Sequence, residues 1–221
     1  MPLARLTCLL LMPLGVLWGQ PLDAILVLEM SPGTEQAIGL IRTRALQEDD
    51  RAAVIGFNRR AQVMQPLTED HDKLDAALQR SGARAGVGLG GRDRGAISLN
   101  ETVDLAGALS KACGAFGEHG VAERKRTVIV LFASEDPKLS ARLDTLQAAL
   151  SSADARLYAV LVHRVNAFEP PGTPRVGAPR FPMPSPAITA QLMSQLTEKS
   201  NGRIYKGGWD FKQILAAARK P

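Results

Sequence analysis

Four apolar runs that do not alternate with polar residues constrain this chain most: Ala24-Ile25-Leu26-Val27-Leu28, Ala52-Ala53-Val54-Ile55-Gly56-Phe57, Thr127-Val128-Ile129-Val130-Leu131-Phe132 and Leu157-Tyr158-Ala159-Val160-Leu161-Val162. A strand with one wet face alternates apolar and polar side chains. An unbroken run of this length fits a strand covered on both faces of a parallel sheet. Between the runs, apolar residues recur at helical spacing. Ala37, Ile38, Leu40, Ile41, Ala45 and Leu46 predict a helix over residues 34–47, and Leu74, Ala77 and Leu78 one over residues 70–79. Leu99, Val103, Ala106, Leu109 and Ala112 mark another, and Leu139, Leu143, Leu146, Ala149 and Leu150 the next. Residues 187–199 read as helical, and Asp210 is placed to cap a last helix that turns Ile214 and Leu215 inward.

Two segments read differently. Residues 61–67 alternate, as an edge strand does, and tolerate Pro66 near their end. Residues 202–206 suit a short final strand, and the glycine-rich residues 81–95 a flexible loop. Strands alternating with helices imply a three-layer, doubly wound α/β fold of Rossmann-like architecture. Its sheet is mostly parallel, with one antiparallel edge strand. Residues 21–221 are expected to form a single domain, without repeats.

The N-terminus has the order of a secretory signal. Arg5 is followed by an apolar stretch, Leu6 to Trp18, and then by Gly19-Gln20. The stretch is interrupted by Pro13 and is shorter than the roughly 20 residues that span a bilayer. Residues 1–20 are therefore expected to be a cleaved signal peptide and the protein to be exported, periplasmic or extracellular. Membrane association is expected only through an uncleaved N-terminal segment. Cleavage leaves Cys113 as the one cysteine, on an apolar helical stripe, which suits a small buried residue.

The formal charge of +5 is mild, and only 5% of residues are aromatic. A nucleic-acid footprint needs basic residues interleaved with aromatics, so nucleic acid is not an expected partner. The densest basic run, Arg124-Lys125-Arg126, precedes a strand, where charges commonly solvate a loop. Gly86-Val87-Gly88-Leu89-Gly90-Gly91 lacks the preceding strand a dinucleotide site requires, so no small-molecule cofactor is expected. Residues 168–186 hold seven prolines, which neither a helix nor a central strand accepts, and read as a surface excursion.

Ligands of a doubly wound sheet gather at the carboxyl ends of its strands. Those ends carry Glu29-Met30-Ser31-Pro32-Gly33 and, after a Asp50-Arg51-Ala52-Ala53-Val54-Ile55-Gly56-Phe57 strand, Asn58. A third end carries Ser134-Glu135-Asp136, and Thr197-Glu198-Lys199-Ser200-Asn201-Gly202-Arg203-Ile204-Tyr205 closes the pattern. Together these stretches resemble von Willebrand factor type A domains over about residues 22–220. The resemblance implies a protein-recognition module. It also implies a metal-ion-dependent adhesion site built from Asp-x-Ser-x-Ser, a later Thr and a further Asp.

This chain departs from that ligand set. Glu29 stands for the first Asp, Ser31 is kept, and Gly33 replaces the second Ser. The Thr position falls on Ile97, with Ser98 beside it, and the last Asp position falls on Ala133. Mg²⁺ wants six oxygens in near-octahedral array. Glu29, Ser31 and Ser98 are few, so no bound metal is expected, Mg²⁺ or another divalent cation at these three residues being the remaining possibility. The Glu29 carboxylate can equally bond to backbone N–H groups of its own turn, and Ser31 can cap the first helix.

The expectation is an exported, non-enzymatic protein–protein interaction module whose partner is another protein. Its candidate contacts are Glu29, Ser31, Asn58, Arg59, Glu135 and Asp136, with Arg175 and Arg180 on the proline-rich excursion. Two alternatives stay open: a hydrolytic enzyme using Glu29 or His163 at the strand ends, and an inert structural subunit of an envelope assembly.

Overall fold

The apolar runs form a sheet of six strands: β1 (Leu22–Glu29), β2 (Arg51–Phe57), β3 (Ala61–Thr68), β4 (Lys125–Phe132), β5 (Ala155–Leu161) and β6 (Arg203–Tyr205). The structure, a computed structural model, describes residues 20–86, 103–119, 123–162 and 186–220. The strand order is β3-β2-β1-β4-β5-β6. Every pairing is parallel except that of β3 with β2. β3 is the antiparallel edge strand, and its pairing is irregular on either side of Val54, the stretch in which Pro66 falls. An edge accepts a residue that cannot donate to the ladder. The expected signal segment up to residue 19, Ser98, His163, Arg175 and Arg180 lie outside the described residues.

Why the runs do not alternate is visible in the two cores. Successive side chains of a strand point to opposite faces. Ile25, Val27, Ile55, Val128 and Val130 enter one core, beneath α3 (Leu105–His119), α4 (Leu139–Ser152) and α5 (Ala187–Lys199). Ala24, Leu26, Leu28, Val54, Ile129 and Leu131 enter the other, beneath α1 (Glu35–Ile38), α2 (His71–Gly86) and α6 (Phe211–Ala218). Each fully buried Ile, Leu or Phe contributes about 1.5–3 kcal/mol relative to exposure, so both faces demand apolar residues. Cys113 is 7% exposed within the first core, and burial pushes its thiol up to about 11. Asp210 caps α6 as its position suggests, accepting from Lys212 N at 3.0 Å.

Three helical expectations need correction. The helix over residues 34–47 is instead the four-residue α1, followed by a 3-10 turn at Thr43–Ala45. Ile41 and Leu46 still reach the core, whereas Leu40 is 56% exposed. Gly39 ends α1, and glycine is costly in a helix interior. Beyond it, Thr43 donates to Asp75 at 2.7 Å and Gln47 N donates to Asp50 at 2.7 Å, which draws the chain off a helical path. α2 does the opposite and continues through Gly86, into the expected loop. Its buried stripe runs on past Leu78 through Ser81 and Ala85, residues too small to register as a hydrophobic signal. α3 starts at Leu105, with Val103 buried ahead of it and Leu99 outside the described residues.

The amino ends of the strands are tied by buried carboxylates. Asp23 accepts from Arg51 at 2.6 and 2.9 Å and from Arg124 at 2.7 Å. Asp50 accepts from Leu22 N at 2.9 Å and pairs with Arg219 beyond α6. At the far edge, a Cβ on Gly202 would lie 1.8 Å from the Leu157 carbonyl oxygen, so no other residue fits where the chain enters β6. Gly202→Ala is expected to destabilise the protein by roughly 2 kcal/mol or more, through displacement of β6. Urea unfolding should show a lower midpoint with an unchanged slope.

Candidate functional site

The chain leaves β1 toward one side of the sheet and leaves β4 toward the other, which makes the gap between their carboxyl ends the switch point of the fold. The loop after β1 is built tightly. Thr34 Oγ1 donates to the carbonyls of Glu29 and Ser31 at 2.7 and 2.8 Å, and Met30 N donates to Phe57 O at 2.7 Å. Gly33 adopts φ 93, a conformation that side chains other than glycine's disfavour. The serine that the resemblance would place there is therefore replaced for a backbone reason.

Glu29 is fully buried and crosses the switch point. Its Oε2 accepts from Ala133 N at 2.6 Å and from Ser134 N at 3.1 Å, while its Oε1 accepts short hydrogen bonds from the hydroxyls of Ser31 and Ser134. The carboxylate thus does bond backbone N–H groups, but those of the turn after β4 and not of its own turn. Ser31 does not cap α1, whose N-cap Thr34 also makes no side-chain capping bond.

Asn58, Glu135 and Asp136 are likewise spent on the frame. Asn58 Nδ2 reaches Met30 O at 3.4 Å and its carbonyl accepts from Asp104 N at 2.7 Å. Glu135 accepts from Ile188 N at 3.0 Å, Thr189 N at 2.9 Å and Thr189 Oγ1 at 2.5 Å, at the start of α5. Asp136 accepts from Ala106 N at 2.9 Å, in the first turn of α3, and from Lys138 N at 2.8 Å, ahead of α4. A carboxylate at a helix N-terminus satisfies orphan N–H groups and meets the positive end of the dipole. Sequence reasoning missed Thr189, which bonds both Glu135 and Asp136 N, because its partners lie over 50 positions away. Arg59 is exposed beside Asn58, and Ile188, 67% exposed, adds an apolar residue at the same rim.

Among the described residues, this arrangement offers a hard cation few side-chain ligands. Both oxygens of Glu29 already accept from donors, and the Ala133 and Ser134 N–H groups direct positive partial charge at the carboxylate. Ala133 supplies no side-chain oxygen where the resemblance calls for a second carboxylate, and Gly33 supplies no hydroxyl. Among the described residues no group of three or more His, Cys, Asp or Glu side chains could hold a metal ion.

No family model matches the sequence, and no curated protein matches it in sequence. Solved structures do match. BatB from Bacteroides thetaiotaomicron superposes with a TM-score of 0.59 at 15% identity, over 90% of this chain and 96% of that one. An aerotolerance-related membrane protein from Bacteroides fragilis gives 0.58 at 13% identity, over 89% and 98%. A von Willebrand factor type A structure from Catenulispora acidiphila gives 0.54 at 11% identity, over 90% of this chain and 41% of that one. The fold is that of a von Willebrand factor type A domain. Within that fold, the switch point of this chain is closed by its own glutamate.

Glu29→Ala is expected to cost about 3 kcal/mol or more, because it leaves buried donors from both loops without an acceptor. Glu29→Gln should cost clearly less. Its amide oxygen still accepts from the two N–H groups, and the two serine hydroxyls can rotate to accept from its NH₂. Denaturant unfolding of the pair checks both the order and the size of the effect.

Proposed function

We propose that this protein is a non-enzymatic protein-binding module of the von Willebrand factor type A kind, exported to the cell envelope, that engages its partner without a bridging cation. The observation that carries the reading is the hydrogen-bond shell of Glu29. In a metal-dependent adhesion site the cation leaves one position for a partner's carboxylate; here that position's chemistry is replaced by an internal acceptor tied to two loops. Binding then rests on the shape and charge of the rim, with Arg59 and Ile188 as its accessible contacts. A carboxylate with no exposure cannot touch a substrate, which weighs against a hydrolase built on Glu29.

Location in the envelope is supported by the signal-like order of the first residues and by the name of the similar aerotolerance-related membrane protein. Among the described residues no helix is long and apolar enough to cross a membrane.

Calorimetric titration of chelator-treated protein with Mg²⁺, Ca²⁺ and Mn²⁺ should give no saturable heat and no rise in melting temperature. A site that saturates and raises the melting temperature by several degrees, and that Glu29→Ala abolishes, would overturn the metal-free reading. Photo-crosslinkers at Arg59 and Ile188 should trap one and the same protein in envelope extracts, with chelator present, while one at Lys111 on α3 should not. Trapping that needs a divalent cation, or that is equal at all three positions, counts against the rim as the binding surface.

A further inference from the structure

The end of the sheet opposite Glu29 has a different character. There a cavity of about 530 Å³ opens among the amino ends of β4 and β5 and the carboxyl ends of α4, α5 and α6. The run Arg124-Lys125-Arg126 does not solvate a loop, as its sequence suggested: Lys125 and Arg126 belong to β4, and all three line this cavity with Arg156 and Lys199. Glu123 and Asp154 are its acidic residues. Arg124 pairs with Asp23 at 2.7 Å, a carboxylate it shares with Arg51, which leaves Lys125, Arg126, Arg156 and Lys199 with those two carboxylates.

None of these four cations forms a salt bridge among the described residues. Each is bonded to a neutral oxygen instead. Lys125 donates to Arg219 O, Arg156 to Lys220 O at 2.6 Å, Arg126 to Ala153 O at 3.0 Å and Lys199 to Gln147 Oε1 at 2.6 Å. Three of these acceptors are carbonyls just past the ends of α4 and α6. They fix the cations in place, but a helix terminus carries only about half a negative charge and does not balance a whole cation.

Two further observations show an unmet demand. Among the described residues, Arg126 keeps a buried Nε–H with no hydrogen-bond partner. Burial, and then the charge of Arg156, hold the Lys125 ammonium below the usual lysine value. Like charges held together in a recess carry a cost that a bound anion relieves.

We propose that this cavity binds a phosphate-type oxyanion. Guanidinium forks and an ammonium converging from several sides suit a compact anion with oxygens on every face better than a planar carboxylate. The cavity is much larger than a phosphate ion, so the oxyanion belongs to a larger body, either a soluble phosphorylated molecule or a lipid headgroup. This assignment is independent of how the opposite rim binds protein.

The test is calorimetric titration of the full chain with inorganic phosphate, at constant ionic strength against a chloride control. Saturable binding is expected, weakened about tenfold or more by Arg156→Gln, the scale of one lost charge-assisted hydrogen bond, and unchanged by Lys111→Gln on the solvent side of α3. Arg156 also holds the end of α6, so Lys199→Gln, whose bond is to the Gln147 side chain and not to a helix end, provides a second variant expected to weaken binding. Sedimentation with phosphatidylcholine vesicles containing phosphatidylglycerol, reversed by inorganic phosphate, identifies a headgroup as the source. Phosphate binding without sedimentation identifies a soluble ligand. Absence of saturable phosphate binding, or equal weakening by Lys111→Gln, overturns the proposal.

Discussion

A sheet covered on both faces must settle its polar groups at the strand ends, and that constraint shapes the rest of this molecule. In the interior the ladder satisfies every strand's N–H and C=O groups, and water is absent. At the ends the ladder stops while the surroundings remain dry, so acceptors have to come from side chains. Glu29 serves the carboxyl ends of β1 and β4, and Asp23 and Asp50 serve the amino ends. All three are fully buried. Each links segments far apart in sequence, so these carboxylates fix the relative positions of β1, the turn after β4 and α6.

Two substitutions relative to the adhesion-site pattern complement one another at the carboxyl end. Ala133 removes a carboxylate from β4, which leaves a recess lined by N–H groups. The extra methylene of Glu29 carries its carboxylate across from β1 to those same groups. The hydrogen bonds of Glu29 join the loop after β1 to the turn after β4.

The two ends of the sheet differ in electrostatic logic. Around Glu29, acidic side chains meet backbone N–H groups and the N-termini of α3 and α5, as helix dipoles favour. At the amino end, cations meet the carboxyl ends of α4 and α6, again in the favourable sense. The difference lies in saturation. The carboxylates at one end have several donors each, whereas the cations at the other exceed their carboxylate partners and, among the described residues, the Nε–H groups of Arg126 and Arg219 have no acceptor.

The sequence by itself determined the architecture. Runs such as Ala24 to Leu28 carry two buried faces in their composition, and that signal is local. It also marked Glu29, Gly33 and Ala133 as departures from the ligand pattern of a metal site, since ligand chemistry depends on residue type. It failed where the deciding contact is distant or the residue is small. Leu40 fits a helical stripe yet faces solvent, because Gly39 and the Thr43–Asp75 bond redirect the chain. Ser81 and Ala85 extend α2 through burial that no hydrophobicity pattern registers. Only the tertiary structure decided that Glu29 bonds the turn after β4, that Glu135 and Asp136 cap α5 and α3, and that Arg126 and Arg156 converge on one cavity. Hydrogen bonds and charge balance act between groups brought together across the fold, and a side chain's type does not specify which of them it will meet.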